Sequence, residues 1–189
     1  MSILNRVSRL LYQYASGKLF LLAAALFVFY IGVIMPGAAD VPRISGAGDG
    51  LLSLFAYTAS DFYTQIALMT AEDRQLFVSY RLFNDMGWIA VMAVFFGIGL
   101  SYLLKLFLPA QHALRPLNLF GLLPSVLDLS ENLLQIVLVQ QYPDEYLLLA
   151  SVCAVLTALK WVVLNICVLL ILILPIAALV RRVASAGRA

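Results

Sequence analysis

The residues with the most chemical potential lie in one apolar stretch, LPSVLDLSENLLQIVLVQQYP at 123–143, which carries Asp128, Glu131, Asn132 and Gln135. Positions i, i+3 or i+4, and i+7 fall on one face of a helix, so these side chains form a single polar stripe. A charge in the middle of a bilayer costs roughly 2.5 to 3.5 kcal/mol on insertion scales, so such residues pair with one another or line a cavity. The next segment supplies Thr157 and Lys160. If YPDE is a hairpin turn centred near 144, positions whose numbers sum to about 288 stand level, which sets Asp128 opposite Lys160 and Glu131 opposite Thr157. At 1.5 Å per residue these levels are ~24 Å and ~20 Å from the turn. The expectation is a buried Asp128 to Lys160 ion pair, with Glu131 as the excess acid, driven towards its neutral form by lack of a cation.

Three kinds of work suit this cluster of Asp128, Glu131, Asn132, Gln135, Thr157 and Lys160. It could brace helices together, with Ser130, Asn132 and Thr157 satisfying the charges. It could line a cavity in a carrier or proton relay in which Glu131 alternates between charged and neutral forms. Or it could serve an intramembrane enzyme on a lipid or isoprenoid, with Asp128 and Glu131 as general acid and base. The reading adopted is a small non-enzymatic membrane module or accessory subunit with a buried polar site. No catalytic residue is assigned, and no metal or cofactor is expected. His112 is the only histidine, which rules out a multi-histidine metal site or bis-histidine haem within one chain. Neither G-x-S-x-G nor H-E-x-x-H occurs. Cys153 and Cys167, fourteen positions apart on one helix, lie ~21 Å apart along its axis and cannot form a disulfide.

The elements that position this stripe follow from composition. Of 189 residues, 63% are hydrophobic and 12% charged, with a mean hydropathy of +0.99, whereas soluble domains are roughly half apolar and a quarter charged. An all-α integral membrane four-helix bundle follows, one domain with spans at about 19–35, 86–108, 117–140 and 146–180. Residues 36–85 form an extracytoplasmic cap of short amphipathic helices, with no repeat evident among the spans. The expected partners are the lipid bilayer, a lipid or small apolar ligand, and other membrane subunits. A net charge of +2 gives no case for nucleic acid.

Several segments need individual readings. Residues 1–18 form a basic surface helix with Ile3, Leu4, Val7, Leu10, Leu11 and Tyr14 on one side. The run at 19–35 imitates a signal peptide, but it exceeds the usual ~7 to 15-residue apolar core and is read as a span. GAADVPRISGAGDG at 37–50 is a loop; Gly46, Gly48 and Gly50 lack the strand and Gly-Lys-Ser/Thr of a phosphate loop. Residues 51–69 read as a helix or helix pair at the bundle mouth, and Thr70 with Asp73 as a capping box that starts a helix at 71. Gly97 and Ser101 have small-x-x-x-small spacing for close packing. Trp88, Tyr142 and Tyr146 read as interface anchors. Arg74, Arg81 and Asp85 read as a solvated charged face, Asn165 as hydrogen-bonding glue to another helix, and Trp161 as unable to stack on Lys160.

The charges orient the bundle. Arg6, Arg9, Lys18, Lys105, Arg115, Arg181, Arg182 and Arg188 fall on one side with no acid, against Arg43, Arg74 and Arg81 on the other. By the positive-inside rule this places both termini in the cytoplasm, for a protein of the cell (inner) membrane. Four crossings satisfy the rule, and three or five do not.

Overall fold

A computed structural model describes residues 2–38, 41–44 and 55–186, and all regular structure among them is helical. Residues 39–40 and 45–50 of the glycine-rich loop and the 51–54 part of the expected cap helix lie outside them.

Short polar side chains at sequence breaks start each of the first four α-helices. Ser2 caps α1 (Ile3–Tyr14), accepting from the Asn5 amide at 3.3 Å, and Ser16 caps α2 (Gly17–Phe29) by accepting from Leu19 at 3.3 Å. The expected first span therefore begins at Gly17, and a π-helical turn, Tyr30–Ile34, continues it. Thr58 and Asp61 form a capping box for α3 (Ala59–Leu68), shorter than the 51–69 helix expected, because this box fixes where the helix can begin. Asp61 is thus part of a cap. Thr70 and Asp73 form the expected box and open α4 (Ala71–Phe107), one unbroken helix that contains the expected 86–108 segment except Leu108, its extended C-cap.

After α4 the chain departs from a plain span. Arg115–Leu122 is a 3-10 helix, and α5 (Leu123–Gln141) is α-helical only from Leu123, with Pro116 and Pro124 near the two starts. The physical reason is contact with α4. A Cβ on Gly121 would meet the Phe96 carbonyl oxygen at 2.5 Å, so only glycine allows the two backbones this close. α6 (Leu147–Ala186) closes the bundle and carries Pro175 within it. Four helical segments, Gly17–Ile34, Ala71–Phe107, Arg115–Gln141 and Leu147–Val180, are long and apolar enough to cross a membrane.

The packing has three layers. One apolar cluster joins Ala23, Phe96, Leu100, Leu127, Val163 and Cys167 from α2, α4, α5 and α6. The other joins Phe62 and Ile66 of α3 to Phe77, Leu138, Ala150 and Cys153. Between them each of α4, α5 and α6 has a gap in its buried apolar residues, and the gaps are filled by Asp85, by Asp128, Glu131, Asn132 and Gln135, and by Thr157 and Lys160. A second polar contact ties α1 down at the opposite end. Ser8 donates to Asn118 at 2.7 Å, Asn118 donates to Ser101 at 2.9 Å, and Ser101 donates to the Gly97 carbonyl at 2.6 Å.

Candidate functional site

The middle layer is the site, and α5 is its backbone. Its stripe faces the bundle interior, where Asp128, Glu131, Asn132 and Gln135 are all buried. Lys160 reaches across from α6, with Nζ 2.9 Å from Asp128 Oδ1, the partner expected from the level of the hairpin, and 2.6 Å from Glu131 Oε2. Glu131 is therefore paired, not left without a cation. The level rule placed it one helical turn from Lys160, about 4.5 Å along the axis, and the flexible four-carbon lysine stem covers that offset. The same stem lets Nζ lie 5.6 Å from the Trp161 ring centroid, so a contact judged unattainable between neighbours is made.

Arg81 and Asp85 belong to the same layer and are not a solvated face. They form an i,i+4 ion pair at 2.5 Å, and Arg81 also donates to Asn132 Oδ1 at 3.0 Å. Asn132 in turn points its amide nitrogen at Asp85, 3.4 Å away. Their position on the polar half of α4 hid them, since solvent was the natural destination for charges there. The remaining member of that supposed face, Arg74, donates to the Met69 carbonyl at 2.7 Å and lies over the Tyr142 ring at 5.0 Å.

The site is closed by a residue that sequence reasoning missed. Tyr57, just before the Thr58 cap, puts its phenol among three helices. It donates to Cys153 Sγ at 3.2 Å and accepts from Gln135 Nε2 at 3.2 Å. Thr157 Oγ1 lies 3.2 Å from the phenol oxygen and 3.1 Å from the Cys153 carbonyl, so Thr157 faces Tyr57 and not Glu131. Burial pushes the Tyr57 phenol far above its usual range, with the neighbouring Cys153 adding to the shift, so it stays a hydrogen-bond donor. Gln135 completes the link by donating to Glu131 Oε1 at 3.1 Å. An aromatic ring so soon after a glycine-rich loop gave no periodic signal. Its nearness to a T-x-x-D cap was the available clue.

The network thus runs from Tyr57 through Gln135, Glu131 and Lys160 to Asp128, with Arg81, Asp85 and Asn132 beside it. It holds three carboxylates and two cations. Within it, Arg81 Nε and Gln135 Oε1 have no hydrogen-bond partner among the described residues. No group of three or more His, Cys, Asp or Glu side chains arranged for a metal ion is found among those residues.

Contacts also give its height in the bundle. Gly99 of α4 lies against Ile171 of α6, which sets Lys160 level with about position 88 of α4. Lys105 marks the other end, donating to the Ala15 carbonyl at 2.7 Å. Seventeen to twenty residues of helix separate Lys105 from the layer of Lys160 and Asp85, about 25 to 30 Å. The layer is therefore near the α3 end, under Tyr57, rather than midway along the bundle.

Asn165, expected to bond another helix, donates to Trp161 O of its own helix at 2.8 Å and is exposed. Trp88 packs on Phe27 and Tyr30, with ring centroids 5.1 and 5.7 Å away. The fold and the site together define an all-α helical bundle of membrane-length helices with ion pairs buried among three of them. The chain matches no protein-family model, no curated protein and no solved structure.

Proposed function

We propose that this is a small, non-enzymatic multi-pass membrane module, an accessory subunit, whose buried polar layer braces three spans and the cap beneath which it lies. The observation that carries this reading is Lys160 bound to carboxylates at two levels of α5, with Arg81, Asp85 and Asn132 tying α5 to α4. Each polar link joins a side chain to a neighbouring element or to the next turn of its own helix. That is what a brace requires, since a buried charge without partners is costly. The excess of basic residues at the Lys105 end supports a reading with that end and both termini in the cytoplasm of a cell (inner) membrane. On that reading α3 and the polar layer lie towards the outer face, with the surrounding lipid, or a small apolar ligand, as what the module meets.

A second reading is favoured by the charge count. Three carboxylates against two cations leave one negative charge, which a proton can balance, and Gln135 and Tyr57 lead from Glu131 towards the cap. A proton-coupled carrier would use that path. Proteoliposomes of the full chain, loaded with a pH-sensitive dye and given a pH step, separate the two. The brace reading expects proton entry equal to that of empty vesicles. Entry above this level that Glu131→Gln abolishes would replace it with the carrier.

A further inference from the structure

We propose that α6 carries a self-association seam centred on Asn165, and that its occupant is α6 of a second copy of this chain, parallel and in the same register. The proposal rests on reading α6 as a membrane span.

Asn165 is the starting point. Counted from the Gly99 to Ile171 contact, it stands level with about position 93 of α4, some 18 Å from the level of Lys105. In a hydrocarbon layer ~30 Å thick that is near the middle. There an exposed carboxamide has no water to bond. One N–H reaches its own Trp161 carbonyl, and neither its Oδ1 nor its second N–H has a hydrogen-bond partner among the described residues. A polar side chain in that position is a recurrent source of helix association within lipid.

The residues around it form a seam. Val155, Val162, Leu169 and Ile176 repeat every seven positions, and Asn165 and Leu172 stand three positions after Val162 and Leu169. This is the a and d pattern of a left-handed helix pair, with a single polar position that sets register. All six side chains are exposed, the five apolar ones each by 54% or more. They lie on the side of α6 opposite Cys153, Lys160, Val163, Cys167 and Ile171, which face the bundle.

The identity of the occupant follows from symmetry. Copies inserted with the same orientation have parallel α6 helices with Asn165 at one depth, whichever side the termini occupy. A carboxamide both donates and accepts, so two Asn165 side chains satisfy each other across a twofold axis. Among the described residues no other helix puts a polar residue at that depth on an outward face without a further partner.

Single cysteines at Val155, Val162, Asn165, Leu169, Leu172 and Ile176 test this in membranes, with oxidation by copper-phenanthroline. Cysteines at Val152 and Leu159, off the seam on α6, and at Val28 on α2 are the controls. The native chain, whose Cys153 and Cys167 are buried, is the blank. Membranes are first washed with alkaline carbonate. Loss of the protein in that wash would refute the span itself, whereas retention without seam cross-links would refute only the dimer. The expected result is cross-linked dimer at the seam positions and blank-level yield at Val152, Leu159 and Val28. Equal yields on and off the seam would overturn the proposal. In detergent titrations followed by energy transfer, Asn165→Leu should weaken association about 3- to 30-fold, the range of interhelical polar bonds. An unchanged dissociation constant would remove Asn165 from the interface.

Discussion

Removing the charge of Lys160 should be far more damaging than removing that of either acid it holds. A simple pair predicts similar losses from both sides, because each removal strands one charge. Here Nζ is 2.9 Å from Asp128 and 2.6 Å from Glu131. Coulomb's law with an effective dielectric constant of ~20 puts each gross attraction near 6 kcal/mol before desolvation, which cancels most of it. Lys160→Met loses both attractions and leaves two carboxylates side by side, a local change from a net −1 to −2. Asp128→Asn loses one attraction, keeps a hydrogen-bonding group, and leaves Lys160 with Glu131 as a neutral pair. Glu131→Gln does the same with Asp128.

The expected losses are therefore about 3 to 5 kcal/mol or more for Lys160→Met, the range for breaking a buried pair. For each acid-to-amide change they are about 0.5 to 1.5 kcal/mol, the range of one ordinary hydrogen bond. Combining Lys160→Met with Asp128→Asn and Glu131→Gln should recover a large part of the loss, since no uncompensated charge remains in this group. The assay is reversible unfolding in mixed micelles by a denaturing detergent, repeated in lipid bicelles, with all singles and the triple variant. Equal losses for Lys160→Met and Asp128→Asn, or a triple variant no better than Lys160→Met, would refute the shared-cation reasoning.

Other outcomes follow from single contacts. Gly121→Ala places a Cβ 2.5 Å from the Phe96 carbonyl oxygen, and overpacking of this kind should cost about 1 to 3 kcal/mol; Gly32→Ala, with nothing within 4 Å, should be neutral in the same unfolding assay. Tyr57→Phe removes the phenol that accepts from Gln135 and donates to Cys153, for a loss of about 1 kcal/mol in unfolding and faster hydrogen exchange in α3. Cysteines at the exposed positions Asp144 and His112 should label from outside and only after permeabilisation, respectively, with an impermeant thiol reagent; labelling of His112→Cys in intact cells would reverse the orientation.

The four membrane-length helices were legible because apolar run length is a strong signal, and the start of α4 because Thr70 and Asp73 match a box with a known geometry. The Asp128 to Lys160 contact was legible because a short turn ties α5 to α6, so their levels follow from counting. Between α4 and α5 counting fails. The connection there is a loop and the 3-10 helix Arg115–Leu122, which rises faster per residue than an α-helix, and the register is set by the backbone approach at Gly121 and Phe96. Without that contact nothing in the sequence sets Asp85 level with Asn132, and Arg81 with Asp85 reads as a surface pair. α3 is shorter than the 51–69 expectation because Thr58 and Asp61 repeat the T-x-x-D spacing of Thr70 and Asp73, and this second box, not apolar content, marks where the helix starts.

The placement of the polar layer between two apolar clusters has a physical rationale. Lipid tails are about as apolar as leucine, so burying one more leucine between helices within a bilayer does little to distinguish one register from the next. Sliding α5 along α6 by one turn would keep most of Leu127, Leu138 and Val139 against apolar neighbours. It would separate Lys160 from one of its carboxylates, and sliding α5 along α4 would separate Arg81 from Asn132. Because charges buried in a low-dielectric interior lose heavily when they lose partners, the ionic layer discriminates against these shifted packings more sharply than the apolar clusters can. Tyr57 extends the discrimination to the cap, since its phenol meets Gln135 and Cys153 only in the register that also joins Lys160 to Glu131. One layer of about ten side chains thereby sets the relative heights of α4, α5, α6 and the segment leading into α3.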